Sequence, residues 1–434
     1  MTRKVILAVI DGLTPAMLEG ALETRSLPTL ASLVEHGAYG RATTTFPSLT
    51  PVCLSSIATG AHADVHEIPH LVWWHRGEQR IVEYGSSFGA ARAAGLTQTL
   101  RDTLVAMNTD HLGKGAVTIF EALADADKVT AAVNFTAYRG RTPHRSVLRP
   151  LGTVLGPEQF FFYNLFESAK TGAPLSWRNR QAGTIDRYAT AAGRWLVTRD
   201  AFDFFLFYLS DYDYASHAAG PDAALDVLVR CDEAVGELVA AAGGLESFLE
   251  RYAILVIADH GQTHVREVAR LRPHFEHEPG TLVTSSNRAA AIYRLDETAP
   301  SPRRLAERLD GEASVEVVAF AEDGAVVARR DGAELRLVEM DGVVTGEGDA
   351  GILDHPDGPM RVWTAVRCPN AGDVVVSATE GWEFADMGGS HHLGGGSHGS
   401  LTAADSTVPM IAVGLELPTK IVDVAPTIIR SLTS

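Results

Sequence analysis

Apolar residues along this chain fall into short runs, and charged residues collect where the runs stop. Residues 5–10, 128–135, 202–209, 252–258 and 408–413 are runs of this kind. Apolar stretches without alternation predict strands covered on both faces, the habit of parallel sheets. Between them the pattern lengthens to a helical period at 28–34, 116–124, 184–198, 222–241 and 422–432, and 160–166 reads as helical too. Alternation of this sort predicts an α/β fold built on a doubly wound, mostly parallel sheet. Beyond residue 271 the texture changes to short alternating strands at 289–295, 314–321, 324–330 and 334–338, with a helix at 302–309. The expected organisation is therefore a core of residues 1–270 and 361–434, resuming as a strand near 371–376. An inserted α+β subdomain, 271–360, is expected to lie over the core's ligand crevice as a cap.

One segment between the runs has its own logic. Residues 45–60 read Thr-Phe-Pro-Ser-Leu-Thr-Pro-Val-Cys-Leu-Ser-Ser-Ile-Ala-Thr-Gly. Pro51 suits a first helical position, because its missing N–H would be an orphan there anyway. Gly60 suits a left-handed stop. That places Thr50 at the N-cap, its hydroxyl beside unpaired N–H groups at the positive end of a helix dipole. Taken alone, such a threonine is a cap.

Composition narrows the partners. The 434 residues are 46% hydrophobic and 21% charged, an ordinary globular balance for two or three domains, and the formal net charge is −17. That charge argues against nonspecific binding to nucleic acid or anionic membrane. Any anionic substrate must then be drawn by local positive charge, most simply a metal. A basic island at 138–145 reads as a solvated loop or an anion contact. Cys53, Cys231 and Cys368 are odd in number and far apart, so they are expected as free core residues. The apolar run at 5–10 is too short to span a membrane and has no cleavage site after it, so the expected compartment is the cytoplasm.

The chemistry collects at strand ends. Asp11, Asp213 and the pair Asp259-His260 each follow a buried run, and a glycine-rich loop carries His398. Ligands of open α/β sheets bind outside the carboxyl ends of the strands. Carboxylates crowded there repel one another and would take up protons unless a cation neutralises them. A mixed Asp/His set suits Zn²⁺ first and Mn²⁺ or Fe²⁺ second. Asp213 and His217 share one face if their segment is helical. The histidines among 61–70 are discounted as packed or solvated.

These pieces, in this order, resemble the alkaline phosphatase superfamily, specifically its nucleotide pyrophosphatase/type I phosphodiesterase branch. The matching motifs are Val9-Ile10-Asp11-Gly12, Phe46-Pro47-Ser48-Leu49-Thr50, Asp213-Tyr214-Ala215-Ser216-His217, Ala258-Asp259-His260-Gly261 and Gly396-Ser397-His398-Gly399. The resemblance implies an alkaline-phosphatase-like core with two metal ions. Asp213, His217 and His398 would hold one ion; Asp11, Asp259, His260 and the Thr50 oxygen would hold the other. Thr50 would be the nucleophile for cleavage of a phosphodiester or pyrophosphate bond in a small phosphorylated substrate. The chain departs from the branch where its asparagine donor to the phosphate is expected: residues 69–72 read Pro-His-Leu-Val. Asn134, at another strand end, is the substitute considered. His391 and His392 are left without a role. A phosphonate C–P hydrolase or phosphomonoesterase on the same fold is the alternative, and an inactive metal-binding interaction module is the second.

Overall fold

The computed structural model describes residues 3–148, 151–163, 165–173, 175 and 184–434. Its centre is an eight-stranded sheet in the order Ala38–Thr43, Thr407–Val413, Tyr252–Ile257, Lys4–Ile10, Phe204–Leu209, Thr130–Val133, Gln159–Phe162 and Phe166–Ser168. Lys4–Ile10 runs parallel to both its neighbours, and the parallel pairing continues through Thr130–Val133 to Gln159–Phe162. Thr407–Val413 is antiparallel to the strands on either side of it.

Side chains of Phe204–Leu209 explain why these strands carry no polar face. Phe204 turns its ring toward Phe120 on the helix Ile119–Asp125. A Cβ on Gly193 of the helix Ile185–Arg199 would touch Phe205 and Phe207, which point the other way. Leu225–Ala241 packs with Ile185–Arg199 and Pro28–Glu35, while Val424–Thr433 packs with Ile119–Asp125 and Thr50–Thr59. Each apolar run is thus covered twice.

Register, more than composition, decides where the acidic residues end up. Ile10 pairs with Leu209 and Val9 with Ile257, so three adjacent parallel strands stop along one line. The residues just beyond that line share one edge of the sheet.

The described residues of 160–166 are not helical. They supply the edge strands Gln159–Phe162 and Phe166–Ser168, paired antiparallel, while Asn164 lies outside the described residues. The rings of Phe160, Phe162 and Phe166 stack around Tyr138, a packing that suits the pleated surface aromatics favour. The basic island is also resolved: Arg139 and Arg141 pair with Glu121, and Arg141 with Asp125, so these guanidiniums are spent on structure. All three cysteines are buried and free. Among the described residues, no helix is long and apolar enough to cross a membrane.

A second, antiparallel sheet follows the order Thr281–Ser286, Ala289–Arg294, Val374–Ala378, Val315–Glu322, Ala325–Arg330, Ala333–Met340 and Val343–Gly348. The segment 371–376, expected back in the core, instead gives Val374–Ala378, paired on both sides within this second sheet. Its all-apolar Val374-Val375-Val376 reads alike for either sheet, so the pattern alone could not assign it.

The two sheets are joined through a buried ion pair. Arg288 sits in the turn between Ser286 and Ala289, and its Nη1 lies 2.6 Å from Asp405 Oδ1, both side chains fully buried. Arg288 also donates to the hydroxyls of Thr263 and Thr402 and to the carbonyls of Thr379 and Trp382. Removing one member of a buried pair strands the other charge. Arg288→Met is therefore expected to cost about 3–5 kcal/mol of stability, measured as a fall in the urea midpoint. A loss below about 1 kcal/mol would mean the pair does not hold the sheets together.

Candidate metal centre

Chain direction and register bring the acidic residues together. Asp11 follows Lys4–Ile10 and Asp259 follows Tyr252–Ile257. Phe204–Leu209 leads into the helix Asp211–Ala219, which presents Asp213 and His217 on one face, Nε2 to Oδ2 3.2 Å. Gly12 lets the chain turn away from Asp11 with φ of +68°. A Cβ there would stand 2.5 Å from Gln262 Nε2 and 2.7 Å from Asp213 Oδ1, so no side chain fits. The Gly12 N–H instead donates to Asp259 Oδ1 at 3.1 Å.

Donor atoms converge on two points. Around the first, Asp213, His217 and His398 offer ligand atoms within 4.8 Å of one another. Around the second, Asp11, Asp213 and His260 do the same, so Asp213 faces both. His260 Nε2 lies 3.2 Å from Asp11 Oδ1, 3.5 Å from Asp259 Oδ2 and 3.1 Å from Thr50 Oγ1. Donors on one tetrahedral zinc stand about 3.3 Å apart, and these separations match.

Each histidine is turned the same way. His217 Nδ1 meets the Gly396 carbonyl at 2.7 Å, His260 Nδ1 the Gly261 carbonyl at 3.1 Å and His398 Nδ1 the Ser48 carbonyl at 2.8 Å. A carbonyl only accepts, so Nδ1 carries a proton and Nε2 is the nitrogen turned toward the acids. This is the orientation that metal-ligating histidines take from their supporting hydrogen bonds. Asp11 Oδ1 and Asp259 Oδ2 are buried without a hydrogen-bond partner. Orphaned buried carboxylate oxygens beside imidazole Nε2 atoms are a fit for a divalent cation.

Electrostatics say the same. Burial, and then the charge of Asp213, pushes the Asp11 carboxyl well above the usual carboxylate range. Burial and the Asp11 charge do the same to Asp259. Burial opposes ionisation of Asp213 too, but His217 beside it outweighs that and holds its carboxyl below the ordinary value. The His217 imidazole loses by burial, gains more from Asp213, and is raised to about 9. Burial, reinforced by His260, keeps His398 well below the normal imidazole range. Without a cation, the centre can only relieve its crowded carboxylates by taking up protons.

Thr50 is displaced by one position from its expected place. The helix runs Thr50–Thr59 with Leu49 flanking it, and no side chain caps its start. Helix ends blur by a residue, but the side chain settles the matter: Thr50 Oγ1 points to His260, not back to its own helix. Gly60 ends the helix in the left-handed region as expected, with φ of +65°.

A cleft of about 360 Å³ opens over these groups and is lined by Asp11, Thr50, Asp213, His217 and His398. Its other wall comes from Leu71, Tyr84, Thr103 and Met107. The segment 271–360, expected to cover the crevice, contributes Asn287 to this lining. None of the described lining residues is a lysine or arginine. Asn134 is not among them. It is buried, accepts from the Tyr163 N–H at 3.0 Å and has φ of +57°, so it holds a backbone turn. His66 and His70 are buried in the protein interior, consistent with packed histidines.

Several participants carry no mark in the sequence. Tyr208 donates to Asp11 Oδ2 and Gln262 to Asp213 Oδ1, each fixing one carboxylate oxygen. His392 stacks on His217, ring centres 4.0 Å apart, and its Nδ1 lies 2.6 Å from buried Glu383. His391 is exposed. Tyr208 lies inside an apolar run, one residue before its end, where a polar tip facing the site leaves no pattern in the sequence.

An eight-stranded doubly wound sheet with this array at the strand ends defines the alkaline-phosphatase class of α/β proteins. Within it, the type I phosphodiesterase / nucleotide pyrophosphatase family model matches residues 5–401, and the chain belongs to that family. No curated protein matches the sequence. Among solved structures, phosphonoacetate hydrolase from Sinorhizobium meliloti 1021 bound to phosphonoacetate is similar, with TM-score 0.67 and 18% identity over 99% of this chain and 96% of that one. Murine ectonucleotide pyrophosphatase / phosphodiesterase 5 is similar with TM-score 0.61 and 15% identity, over 99% of this chain and 95% of that one.

Protein loaded with Zn²⁺ and dialysed is expected to retain about two ions per chain by elemental analysis, and His398→Ala about one. Stripping with chelator should lower the melting temperature, since a bound ligand stabilises by mass action. Retention of no metal, with no melting shift on adding Zn²⁺ or Mn²⁺, would reject the centre.

Proposed function

We propose that this protein is a two-metal phosphohydrolase that cleaves a phosphodiester or pyrophosphate bond of a small molecule through a phospho-threonine on Thr50. The observation that carries it is Thr50 Oγ1 standing 3.1 Å from His260 Nε2, at the junction of the helix start and the donor cluster. Asp213, His217 and His398 would hold one ion, and Asp11, Asp259, His260 and Thr50 the other; Zn²⁺ suits this donor set best. Divalent ions bound there would activate oxygen nucleophiles and neutralise the charge of a transferring phosphoryl group.

The chain's own residues supply the rest. Thr50 Oγ1 attacks phosphorus while the leaving oxygen departs on the opposite side. The first N–H groups of Thr50–Thr59 lie at the positive end of the helix dipole, next to the charge that develops. Tyr208 and Gln262 hold Asp11 and Asp213 in orientation through the hydrogen bonds they donate. Water then breaks the bond between phosphorus and Thr50, releasing the phosphoryl product and restoring the hydroxyl. The cleft's described lining, free of lysine and arginine, supports an ester over a substrate carrying a further carboxylate, which would need a cation of its own. A phosphonate C–P bond is the second reading, raised by the similar fold of phosphonoacetate hydrolase.

Thr50→Ala is expected to lower turnover of bis-p-nitrophenyl phosphate by roughly 10³-fold or more, with little loss of stability because the hydroxyl caps nothing. Thr50→Ser keeps the oxygen and should retain measurable activity. Two displacements retain configuration at a chiral phosphorus, so inversion, or near-native turnover of Thr50→Ala, removes Thr50 from the mechanism. Faster turnover of phosphonoacetate than of any ester would favour the second reading.

A further inference from the structure

The side-chain amide of Asn287 is a polar group inside the centre without an assigned role. Asn287 and Arg288 form the turn joining Thr281–Ser286 to Ala289–Arg294, and Asn287 has φ of +57°. Asparagine tolerates left-handed backbone, which accounts for the residue type. It does not account for where the amide points. Asn287 is buried and lines the cleft, and its Nδ2 stands 3.0 Å from His398 Nε2. The other end, Oδ1, accepts from the Ser286 hydroxyl at 3.0 Å.

The turn is held in place from several sides. The Arg288 N–H donates to the His398 carbonyl at 2.9 Å, and the Phe384 N–H to the Asn287 carbonyl at 2.8 Å. The Arg288 side chain anchors the same turn through Asp405. An amide so placed cannot move far from His398.

Which end of that amide faces His398 depends on what lies between them. An NH₂ group suits a bare imidazole lone pair. A cation held by Asp213, His217 and His398 repels NH₂ and attracts the carbonyl oxygen. Half a turn about the terminal torsion exchanges the two ends. Ser286 then accepts from Nδ2 instead of donating to Oδ1, since a hydroxyl does either, and no polar group is left unpaired. The 3.0 Å spacing is close to the roughly 3.3 Å between two donors on one tetrahedral zinc.

We propose that Asn287 Oδ1 is a further protein ligand of the ion held by Asp213, His217 and His398. The ligand arrives from the second sheet, and the inference rests on the two-ion reading of the centre. Asn287→Gly keeps the left-handed backbone and deletes the amide; Asn287→Asp keeps an oxygen at the same place. Full-length protein stripped of metal is titrated with Zn²⁺ against a chromophoric chelator, and the stripped forms are melted. Asn287→Gly should bind one of its two ions about tenfold more weakly, with the stripped protein melting as the native does. Asn287→Asp should bind that ion at least as tightly as the native chain. Native affinity in Asn287→Gly overturns the proposal, and so does weaker binding by Asn287→Asp, which decides the matter where the glycine variant does not fold. A native protein that binds no Zn²⁺ overturns the two-ion reading itself, so the two failures are distinguishable.

Discussion

Three carboxylates brought out of water at the ends of neighbouring strands are the constraint around which this molecule is arranged. Asp11, Asp213 and Asp259 are buried side by side, and an interior of low polarisability penalises each charge and magnifies their repulsion. Among the described residues, no lysine or arginine pairs with them. The surrounding chain supplies imidazoles whose Nδ1–H groups are held by backbone carbonyls, leaving Nε2 aimed inward. Such a set either takes up protons or holds cations, and the fold reads as a frame for holding it rigid.

Rigidity comes from elements far apart in sequence. Parallel register sets Asp11 and Asp259 level with each other. The Ser48 carbonyl, in the loop before Thr50, fixes His398. The second sheet is tied to the segment that follows His398 by Arg288, whose guanidinium satisfies acceptors from both sides of the junction. A buried ion pair gives little net stability over an apolar substitute, but it punishes misalignment. Here the alignment it enforces brings a turn of the second sheet against His398.

Much of this was legible in the chain. Apolar runs marked the five strands that matter, and acids within a few residues of their ends marked the site, because a strand end is a geometric address as well as a change of composition. Thr50 was legible as the start of a helix, though not the direction of its hydroxyl. What escaped had no local signal. The carbonyls of Ser48, Gly261 and Gly396 are backbone atoms that any residue carries. Asn287 belongs to a turn whose sequence announces only a bend, and Asn134, the substitute considered for the missing phosphate donor, has its amide oxygen engaged by the Tyr163 N–H. Val374–Ala378 is apolar enough for either sheet, and 160–166 lost its helix to the stacking of three phenylalanines around Tyr138.

The place of Thr407–Val413 bears on how the chain comes into being. This strand lies between Ala38–Thr43 and Tyr252–Ile257, joined to both. During synthesis the chain emerges from its N-terminus, so Ala38–Thr43 has no neighbour in the sheet until Thr407–Val413 appears. His398 emerges just before that strand. A ribosome-bound chain therefore carries an unfilled slot in its central sheet and an incomplete donor set at once. Closure of the slot and completion of the donor set thus depend on one and the same stretch of chain, so the central sheet and the cluster at its edge are finished together.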